Sequence, residues 1–478
     1  MLKQLFRNVL SHKLGHYQPY SSNSNKNPFT RTWQAMSKEV NSFFVSKDEN
    51  LNYTYPEHAD IVIIGGGFIG SAVAYWLRTR AGEGLRVVVL EKDLTFKNSL
   101  NNIGLGVLNQ HYSLPENIEL AQVAADFLRK SEEYLGQHVN IQYNPHGHLV
   151  LASEKHADKL ETNATLLMEH GFKSEMLSRE EIKSRFPWIN TSDVAIGCIG
   201  NENEGVFNAS HLLNSLIQKS VALGTEYVNA EAIGFESELQ RDVLIEGIAP
   251  GKFNRLTKVK YRTLDNEEHT IQFSCCILAA GLDSASIAQM ADIGTGDGLL
   301  SVPLPLVTRP HHIYSIKDGG QYTGLDTPFI TDTSGLWLHR NGIDSNLICG
   351  HVPLMSEDSK KLSEEDCYNL MVKPSLWNRF PERKLIILLK ITFQVVCMGT
   401  ELYSHNTYDD NGFVGPHPHH TNLFLATGFA KDGGQQAIGV GRAVAELIID
   451  NSFTTADLTR FSFDRLLVDE PVIETNIY

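Results

Sequence analysis

The chain has 478 residues, of which 42% are hydrophobic and 20% are charged, and its formal net charge is −15. This is the composition of a globular protein with room for two domains, and the acidic charge argues against nucleic acid as a partner, because phosphate contacts need clustered Lys and Arg. The six cysteines show no CxxC spacing, so we interpret them as free thiols in a reducing compartment.

The first 38 residues contain no Asp or Glu and carry six Lys and Arg. Five apolar side chains would share one face of a helix, namely Leu2, Leu5, Phe6, Val9 and Leu10. An acid-free amphipathic start is typical of a mitochondrial transit peptide, and a disordered basic tail is the alternative. We predict a transit peptide at 1–38, a linker at 39–57 and a location in the mitochondrial matrix.

No segment reaches the ~20 apolar residues of a membrane-spanning helix. The nearest candidate, residues 385–398, is shorter and is interrupted by Lys390. We therefore predict no transmembrane helix and leave open a peripheral association with the inner membrane.

The first folded elements follow the linker. Residues 60–64 are a continuous apolar run of strand length, residues 65–70 a glycine-rich turn, residues 71–79 have helical spacing, and residues 87–90 are a second buried strand. This order predicts a β-α-β unit with parallel strands.

The rest of the chain mixes helices and strands. Residues 115–188 are predicted to be mostly helical, with a hairpin whose turn is Asn144–Gly147, and a further helix is predicted at 210–224. The run "FSCCILAAG" is a buried strand that ends at Gly281, and residues 303–412 have the alternating stretches of an antiparallel sheet. The predicted fold is mixed α/β, with a Rossmann-type dinucleotide-binding domain interleaved with an antiparallel-sheet domain.

The first glycine cluster is a dinucleotide-binding fingerprint. Gly65, Gly67 and Gly70 form G-x-G-x-x-G between a strand and a helix, and Glu91 ends the next strand. The first glycine permits the turn, the second lets the backbone approach a pyrophosphate, the third lets helix and strand pack closely, and the acidic residue accepts from a ribose hydroxyl. The pyrophosphate would lie at the positive end of the helix dipole.

The second glycine cluster is "ATGFAKDGGQQAIGVGRAVAE", residues 426–446. We predict a strand of the same sheet before Gly428 and a helix N-terminus near Gly433 and Gly434, whose partial positive charge would stabilise a reduced isoalloxazine. Gly439 and Gly441 would clear space for the cofactor. A second segment so far along the chain favours FAD over NAD, because FAD is commonly held along its whole length.

With both clusters in view, the chain resembles the D-amino-acid oxidase/sarcosine oxidase superfamily of flavoproteins. The stretches that carry the resemblance are "DIVIIGGGFIGSAVAYWL", "YSLPEN", "RFPWINTSDVA", "NTYDDNGFVGPHP", "LFLATGF" and "GVGRAVAELI". They match in particular a mitochondrial branch linked to the assembly of respiratory complex I. The resemblance implies FAD as cofactor, a small amine or amino acid as substrate, and complex I subunits or assembly intermediates as partners.

The resemblance also implies domain limits. The FAD-binding domain would comprise residues 58–115, 196–300 and 413–478, and the substrate domain residues 116–195 and 301–412. We predict no metal site, because the histidines of "HPHH" at 417–420 have no accompanying carboxylate or thiol cluster.

The implied site residues fall into two groups. The predicted FAD-binding positions are Gly65, Gly67, Phe68, Ile69, Gly70, Glu91, Lys92, Asn101, Asn102, Gly104, Gly106, Gly281, Gly428, Gly433, Gly434, Gln435 and Gln436. The superfamily holds the substrate carboxylate with Arg, Lys or Tyr, so Arg309 and Tyr403 are the predicted catalytic residues. Further candidates are His339, Arg340 and His405.

Three departures from the family pattern qualify these assignments. Asn101 and Asn102 stand where relatives have small residues, and residues 382–400 form a longer apolar stretch that is either a genuine divergence or an error in the gene model. Gln435 stands where sarcosine oxidases carry an oxygen-activating lysine, which favours a dehydrogenase or an electron-passing role over an oxidase. Two functions stay open, namely support of complex I assembly and metabolic amine oxidation.

Overall fold

The computed structural model describes residues 55–96, 105–200, 202–318, 323–333, 335–341, 346–351, 393–429 and 432–475. The predicted transit peptide, most of the linker, Asn101, Asn102 and Gly104 lie outside the described residues, as does most of the divergent stretch at 382–400. Residues 48–478 form one compact unit.

The described elements alternate between strands and helices. The strands are β1 His58–Ile64, β2 Val87–Glu91, β3 Leu105–Leu108, β4 His148–Ala152, β5 Ser174–Ser178, β6 Ile196–Gly200, β7 Gly205–Asn208, β8 Glu226–Gln240, β9 Phe253–Thr263, β10 Glu268–Leu278, β11 Leu306–Asp318, β12 Phe329–Thr331, β13 Leu336–Arg340, β14 Asn346–His351, β15 Phe393–Asn406, β16 Phe413–Pro416 and β17 Leu423–Thr427. The helices are α1 Phe68–Ala81, α2 Pro115–Arg129, α3 Ser131–Leu135, α4 Ala157–Glu169, α5 Arg179–Arg185, α6 Ala209–Ala222, α7 Ser284–Met290, α8 Gly433–Asp450 and α9 Asp464–Leu467.

The first sheet has a parallel core. Strand β1 lies at its centre, with β2 and then β8 on one side and β10 and then β17 on the other. The outer parts of β8 and β10 pair antiparallel with β9, which extends the sheet into a three-stranded meander. Residues 87–90 of β2 are buried throughout, as a strand covered on both faces must be. The predicted β-α-β unit and the return of the C-terminal strand to this sheet are confirmed.

The second sheet has eight strands in the order β15-β11-β14-β13-β12-β4-β6-β5. Its pairs are antiparallel except for β12 with β4. One face packs on a core that includes Leu149, Tyr314 and Leu338. The other face carries Phe329 and Trp337 and contacts the small ribbon formed by β3 and β7. The antiparallel sheet predicted for residues 303–412 is thus present in the described parts of that range.

One detail of the predicted organisation is wrong. The hairpin at Asn144–Gly147 does not form, because Asn144 bridges to Val206 while β4 pairs with β6 and β12. The predicted domain boundary at 195/196 falls just before β6, which belongs to the second sheet. The domain limits themselves stay a prediction.

Helix α8 packs closely on α1 and α2. A Cβ on Gly441 would lie 2.6 Å from the backbone carbon of Ala72, and one on Gly439 would lie 2.5 Å from Leu120 Cδ2. The prediction that these two glycines clear space for the cofactor is wrong, because they clear space for neighbouring helices. Helix α2, predicted within the substrate domain, packs on the helices of the first sheet.

Among the residues that the structure describes, no helix is both long and apolar enough to cross a membrane.

Candidate functional site

The carboxyl ends of β1, β2, β10 and β17 meet at one edge of the first sheet. Gly65 follows β1 with a φ of +101°, and a Cβ on it would lie 2.3 Å from the carbonyl oxygen of Ala279, just after β10. A Cβ on Gly70 would lie 1.9 Å from the carbonyl oxygen of Gly65. The fold itself therefore requires glycine at both positions.

Gly67 is different, because a Cβ there would meet no protein atom within 4 Å. It precedes α1, whose first turn has no acidic residue and whose N-terminus has no side-chain cap. The free N–H groups and the positive end of the helix dipole thus face open space. This is the arrangement that binds the pyrophosphate of a dinucleotide.

Glu91 closes one side of this turn. Its Oε2 accepts from the Gly66 N–H at 2.7 Å and its Oε1 from the Asp93 N–H at 2.9 Å. Burial raises the pKa of Glu91, and these two hydrogen bonds oppose the increase. Lys92 pairs with Asp283 at 2.5 Å, which ties the end of β2 to the turn Gly281–Asp283 after β10.

The second glycine cluster lies beside the first. Gly428 directly follows β17 and has a φ of +85°. A Cβ on Gly434, at the start of α8, would have the Phe68 ring of α1 as its nearest neighbour, at 3.7 Å. The N-termini of α1 and α8 are therefore adjacent. Gly281 also has open space around its Cβ position, so the edge has room for a cofactor at several of the predicted positions.

Three predicted FAD contacts have a structural role in the protein itself. Gln435 accepts from the Asn109 N–H at 2.9 Å and donates to the Asn109 carbonyl at 2.6 Å. Gln436 donates to Asn117 Oδ1 at 2.9 Å. A Cβ on Gly106 would lie 2.3 Å from the Phe207 ring across the β3–β7 ribbon. These contacts explain the residue types, and their contact with FAD stays a prediction.

The second sheet contributes a polar and aromatic face. Arg309 on β11 and Tyr403 on β15 stand directly opposite each other in the antiparallel register, so their side chains share one face. The His311 ring lies 6.5 Å from that of Tyr403, and its Nε2 lies 3.3 Å from Trp337 Nε1. The structure thus brings together the two residues that were predicted to be catalytic.

The start of β11 adjoins the edge of the first sheet. Leu306, at the start of β11, has its Cδ2 3.1 Å from the position of a Cβ on Gly428. Strands β11 and β15 both run beside the turn Gly281–Asp283. Arg309 is three residues beyond Leu306, about 10 Å along the strand, and strand alternation places its side chain on the opposite face.

The three remaining candidates are engaged in different ways. His339 lies on the same face of β13 as Trp337, and burial lowers its pKa to about 4, so it is neutral at physiological pH. Arg340 donates to the backbone carbonyl of Thr323 and to its hydroxyl. His405 Nδ1 lies 2.9 Å from Asp410 Oδ1. None of these observations gives the three a stronger claim on substrate than Arg309 and Tyr403.

The "HPHH" histidines build the turn between β16 and β17. His417 Nδ1 accepts from the N–H groups of His419 and His420 at 3.2 and 3.3 Å. Burial lowers the pKa of His417 to about 3, so its ring is a neutral acceptor. Among the described residues, the group with metal-ligand spacing is instead His111, His148 and Glu204.

Sequence reasoning missed His311, Trp337 and the cluster of His111, His148 and Glu204. His311 follows Arg309 by two residues, so strand alternation places it on the same face and could have found it. No pattern in the neighbouring sequence indicates a site role for Trp337 or for the cluster, because contacts between segments far apart in the sequence bring these residues together.

The described site combines a parallel sheet that carries two adjacent helix N-termini with an antiparallel sheet that carries an Arg–Tyr pair. A family model described as "FAD dependent oxidoreductase" matches residues 60–447. The chain therefore belongs to this family, the D-amino-acid oxidase superfamily recognised in the sequence, and FAD is its cofactor.

Individual relatives agree with this assignment. The chain is 39% identical over 459 residues to a Drosophila melanogaster protein named FAD-dependent oxidoreductase domain-containing protein 1 homolog, covering 94% of this chain and 88% of that one. It is 35% identical to the Mus musculus protein of that name, covering 99% of this chain and all of that one. Among solved structures, L-proline dehydrogenase from P. horikoshii shares the fold with a TM-score of 0.65 at 19% identity, covering 87% of this chain and 100% of that one.

Proposed function

We propose that this chain is a mitochondrial FAD-dependent oxidoreductase of the amine- and amino-acid-oxidising type that supports the assembly or stability of respiratory complex I. The mitochondrial matrix location is supported by the acid-free amphipathic residues 1–38. The complex I role is supported by the sequence stretches shared with that branch of the superfamily. The redox role rests on one observation, the directly opposed positions of Arg309 on β11 and Tyr403 on β15.

The Arg309–Tyr403 pair suits a substrate with a carboxylate. A guanidinium offers two parallel donors that match a carboxylate, and a tyrosine hydroxyl offers another donor. Tyr403 is only 7% exposed, so a charge held beside it is poorly screened by water. Bound FAD supplies the acceptor for the hydride that leaves the carbon next to nitrogen. The work of these two side chains is to bind and orient the substrate.

Gln435 favours a dehydrogenase over an oxidase. Its amide is neutral, and both of its ends are held by the backbone of Asn109. No cation is therefore present at this position to promote the reaction of reduced flavin with oxygen, and electrons would pass to a carrier instead.

A substrate screen tests the redox proposal. Purified protein with its FAD is mixed anaerobically with a panel of N-methyl, D- and L-amino acids, and flavin absorbance is followed. We expect at least one compound to reduce the flavin. Arg309→Gln and Tyr403→Phe should keep the flavin spectrum but slow reduction about tenfold or more. Lys317→Gln, which removes an exposed charge from the same strand, should have no effect.

The alternative is a metabolic amine dehydrogenase that has no part in complex I assembly. The two functions can be distinguished in cells that lack the protein. The Gly67→Trp or the Arg309→Gln variant is expressed in these cells, and the amount of assembled complex I is measured. The open space at Gly67 accommodates a ring that blocks FAD. If the assembly proposal is correct, complex I is reduced in cells lacking the protein and Gly67→Trp fails to restore it. If cells lacking the protein contain normal amounts of complex I, only the metabolic alternative remains. If Arg309→Gln restores complex I, assembly requires FAD binding but not substrate oxidation.

A further inference from the structure

A buried polar cluster lies where the loop after β3, strand β4 and the turn between β6 and β7 meet. Its members are His111, His148 and Glu204, with exposed fractions of 8%, 2% and 1%. One nitrogen or carboxylate oxygen from each residue lies within 4.8 Å of those from the other two. Three residues distant in sequence thus direct metal-ligating atoms at one point.

The polar atoms of this cluster are poorly satisfied by the described protein. His111 Nε2 and Glu204 Oε2 lie 3.5 Å apart, and neither has a hydrogen-bond partner among the described residues. The other oxygen of Glu204 accepts from the Gln110 N–H at 2.8 Å. Within the described chain, no Lys or Arg pairs with this carboxylate. A buried carboxylate without a cation is costly, so the site calls for a positive charge, supplied by His111 itself or by a bound cation.

We propose that this cluster binds a divalent transition-metal ion, with Zn²⁺ as the first candidate. Two ligands about 2.0–2.2 Å from a tetrahedral zinc lie about 3.3–3.6 Å from each other. The 3.5 Å between His111 Nε2 and Glu204 Oε2 matches this spacing. Two imidazoles and a carboxylate are an accepted zinc ligand set, which leaves a fourth position for water.

Both ring nitrogens of His148 already have partners in the described chain. Its Nδ1 lies 3.1 Å from Asn109 Oδ1, and its Nε2 lies 2.8 Å from Thr331 Oγ1. Metal binding would have to displace one of these two hydrogen bonds, and the other would hold the ring in place. The bond to the metal replaces the single hydrogen bond that is lost.

The ion would organise the FAD-binding edge rather than take part in the redox reaction. Asn109 Oδ1 accepts from the His111 N–H at 2.9 Å, and the backbone of Asn109 pairs with Gln435 at the start of α8. The metal would therefore fix the loop that positions α8, while His148 links that loop to the second sheet. The burial of all three ligands excludes substrate from the ion, so its role is structural.

Metal analysis of the wild-type chain gives the primary test. Tag-free protein is exposed to about 10 μM Zn²⁺, dialysed against metal-free buffer and analysed by inductively coupled plasma mass spectrometry. We expect about one zinc per chain, and the X-ray absorption edge should report nitrogen and oxygen ligands with imidazole scattering and no sulfur. Removing the ion with a chelator should lower the Tm, and Zn²⁺ should restore it.

Three variants locate the ion. His111→Gln and Glu204→Gln keep the side-chain size and should each reduce zinc content at least about tenfold. His420→Gln removes a buried histidine elsewhere and should leave zinc content unchanged. Wild-type protein without stoichiometric zinc, or zinc that persists in both cluster variants, would overturn the proposal and leave a bare His111–Glu204 ion pair. If the variants do not fold, the zinc content and absorption edge of the wild type still decide the question.

Discussion

At the residue scale, the three glycines of the fingerprint meet different demands. The protein itself fills the space that a side chain would need at Gly65 and Gly70, whereas the space at Gly67 is open. The backbone of Gly67 has a φ of −66°, which any residue can adopt. The fold therefore does not require glycine here, and we predict that the ligand does.

Gly67→Ala and Gly70→Ala should separate these demands. We expect Gly67→Ala to change the free energy of unfolding of the FAD-free protein by less than about 0.5 kcal/mol. It should weaken FAD binding about tenfold, or about 1.4 kcal/mol, because its methyl group occupies the approach to the pyrophosphate. Gly70→Ala should destabilise the FAD-free fold by about 1–3 kcal/mol. Urea unfolding and flavin-fluorescence titration measure both, and equal destabilisation would contradict this interpretation.

Glu446 shows how hydrogen bonds outweigh burial at one carboxylate. Burial raises its pKa, but hydrogen bonds from Thr455 and Thr454 more than compensate and lower the pKa to about 2. Because the folded pKa is depressed, this carboxylate stabilises the fold above its unfolded pKa of about 4.5. That contribution is lost as the pH falls from about 4.5 towards 2.

Glu446→Gln tests this linkage. The variant should be less stable than wild type at pH 5.5, because a neutral amide cannot accept these hydrogen bonds as strongly. The difference in free energy of unfolding should shrink by pH 3.5, where protonation begins to cost the wild type the same stabilisation. Urea midpoints at the two pH values measure it. A difference independent of pH would mean that the charge of Glu446 is not responsible.

At the scale of elements, helix α8 combines an N-terminus that is predicted to bind FAD with a surface that packs on other helices. Its first turn adjoins Phe68 of α1. The side-chain amide of Gln435 hydrogen-bonds to both the N–H and the carbonyl of Asn109, as a paired strand would. One turn later, Gly439 allows close packing against α2, and Gly441 allows close packing against α1. The excess of glycine in this segment thus has two causes, one at each part of the helix.

Alanine at Gly441 should cost more stability than alanine at Gly439. A Cβ on Gly441 would meet the rigid backbone of Ala72, whereas one on Gly439 would first meet the end of the flexible Leu120 side chain. We expect about 2 kcal/mol for Gly441→Ala. Gly439→Ala should be near neutral, since alanine favours a helix by about 1 kcal/mol over glycine. Both variants should keep the flavin spectrum. Loss of FAD from a variant that stays folded would show that the glycine contributes to cofactor binding after all.

Gln435→Leu should destabilise the protein by about 2–4 kcal/mol, because the N–H and the carbonyl of Asn109 both lose their partner. Gln435→Glu retains the acceptor and loses the donor, so its effect should be about half as large. Chemical unfolding and FAD content measure the series. Equal effects of the two variants would show that the donor to the Asn109 carbonyl carries all the stabilisation.

At the scale of the whole molecule, the C-terminal segment fastens the FAD-binding region. Arg465 is 4% exposed, and its Nε and Nη2 donate to the two carboxylate oxygens of Asp409 at 2.7 and 3.0 Å. The guanidinium also lies 4.0 Å from the centre of the Phe413 ring, next to the start of β16. Glu474 accepts from the Ser113 N–H at 2.8 Å, which ties the same tail to the start of α2.

Arg465→Met should destabilise the molecule by about 3–5 kcal/mol, because it leaves the buried charge of Asp409 without its partner. A matched exposed pair, Lys173 with Glu202, is the control, and Lys173→Met should change stability by less than about 1 kcal/mol. Urea unfolding measures both. Similar small effects would mean that the C-terminal segment is not a structural fastener.

The sequence alone determined the β-α-β unit, the glycine turn, the membership of the C-terminal strand in the same sheet, and the flavoprotein family. These follow from local features, since a buried strand, a glycine turn and a helix each leave a pattern within a few residues. The sequence did not determine why each of these positions is glycine, because the reason depends on which atoms lie where a side chain would be.

Only the tertiary structure decided which distant residues meet. Arg309 and Tyr403 face each other through the register of β11 and β15, and His111, His148 and Glu204 converge from three separate elements. Strand register and long-range pairing are set by the packing of whole sheets, and a one-residue slip would turn each side chain to the opposite face. Local periodicity does not encode that choice, so the cofactor could be predicted from sequence while the geometry around it could not.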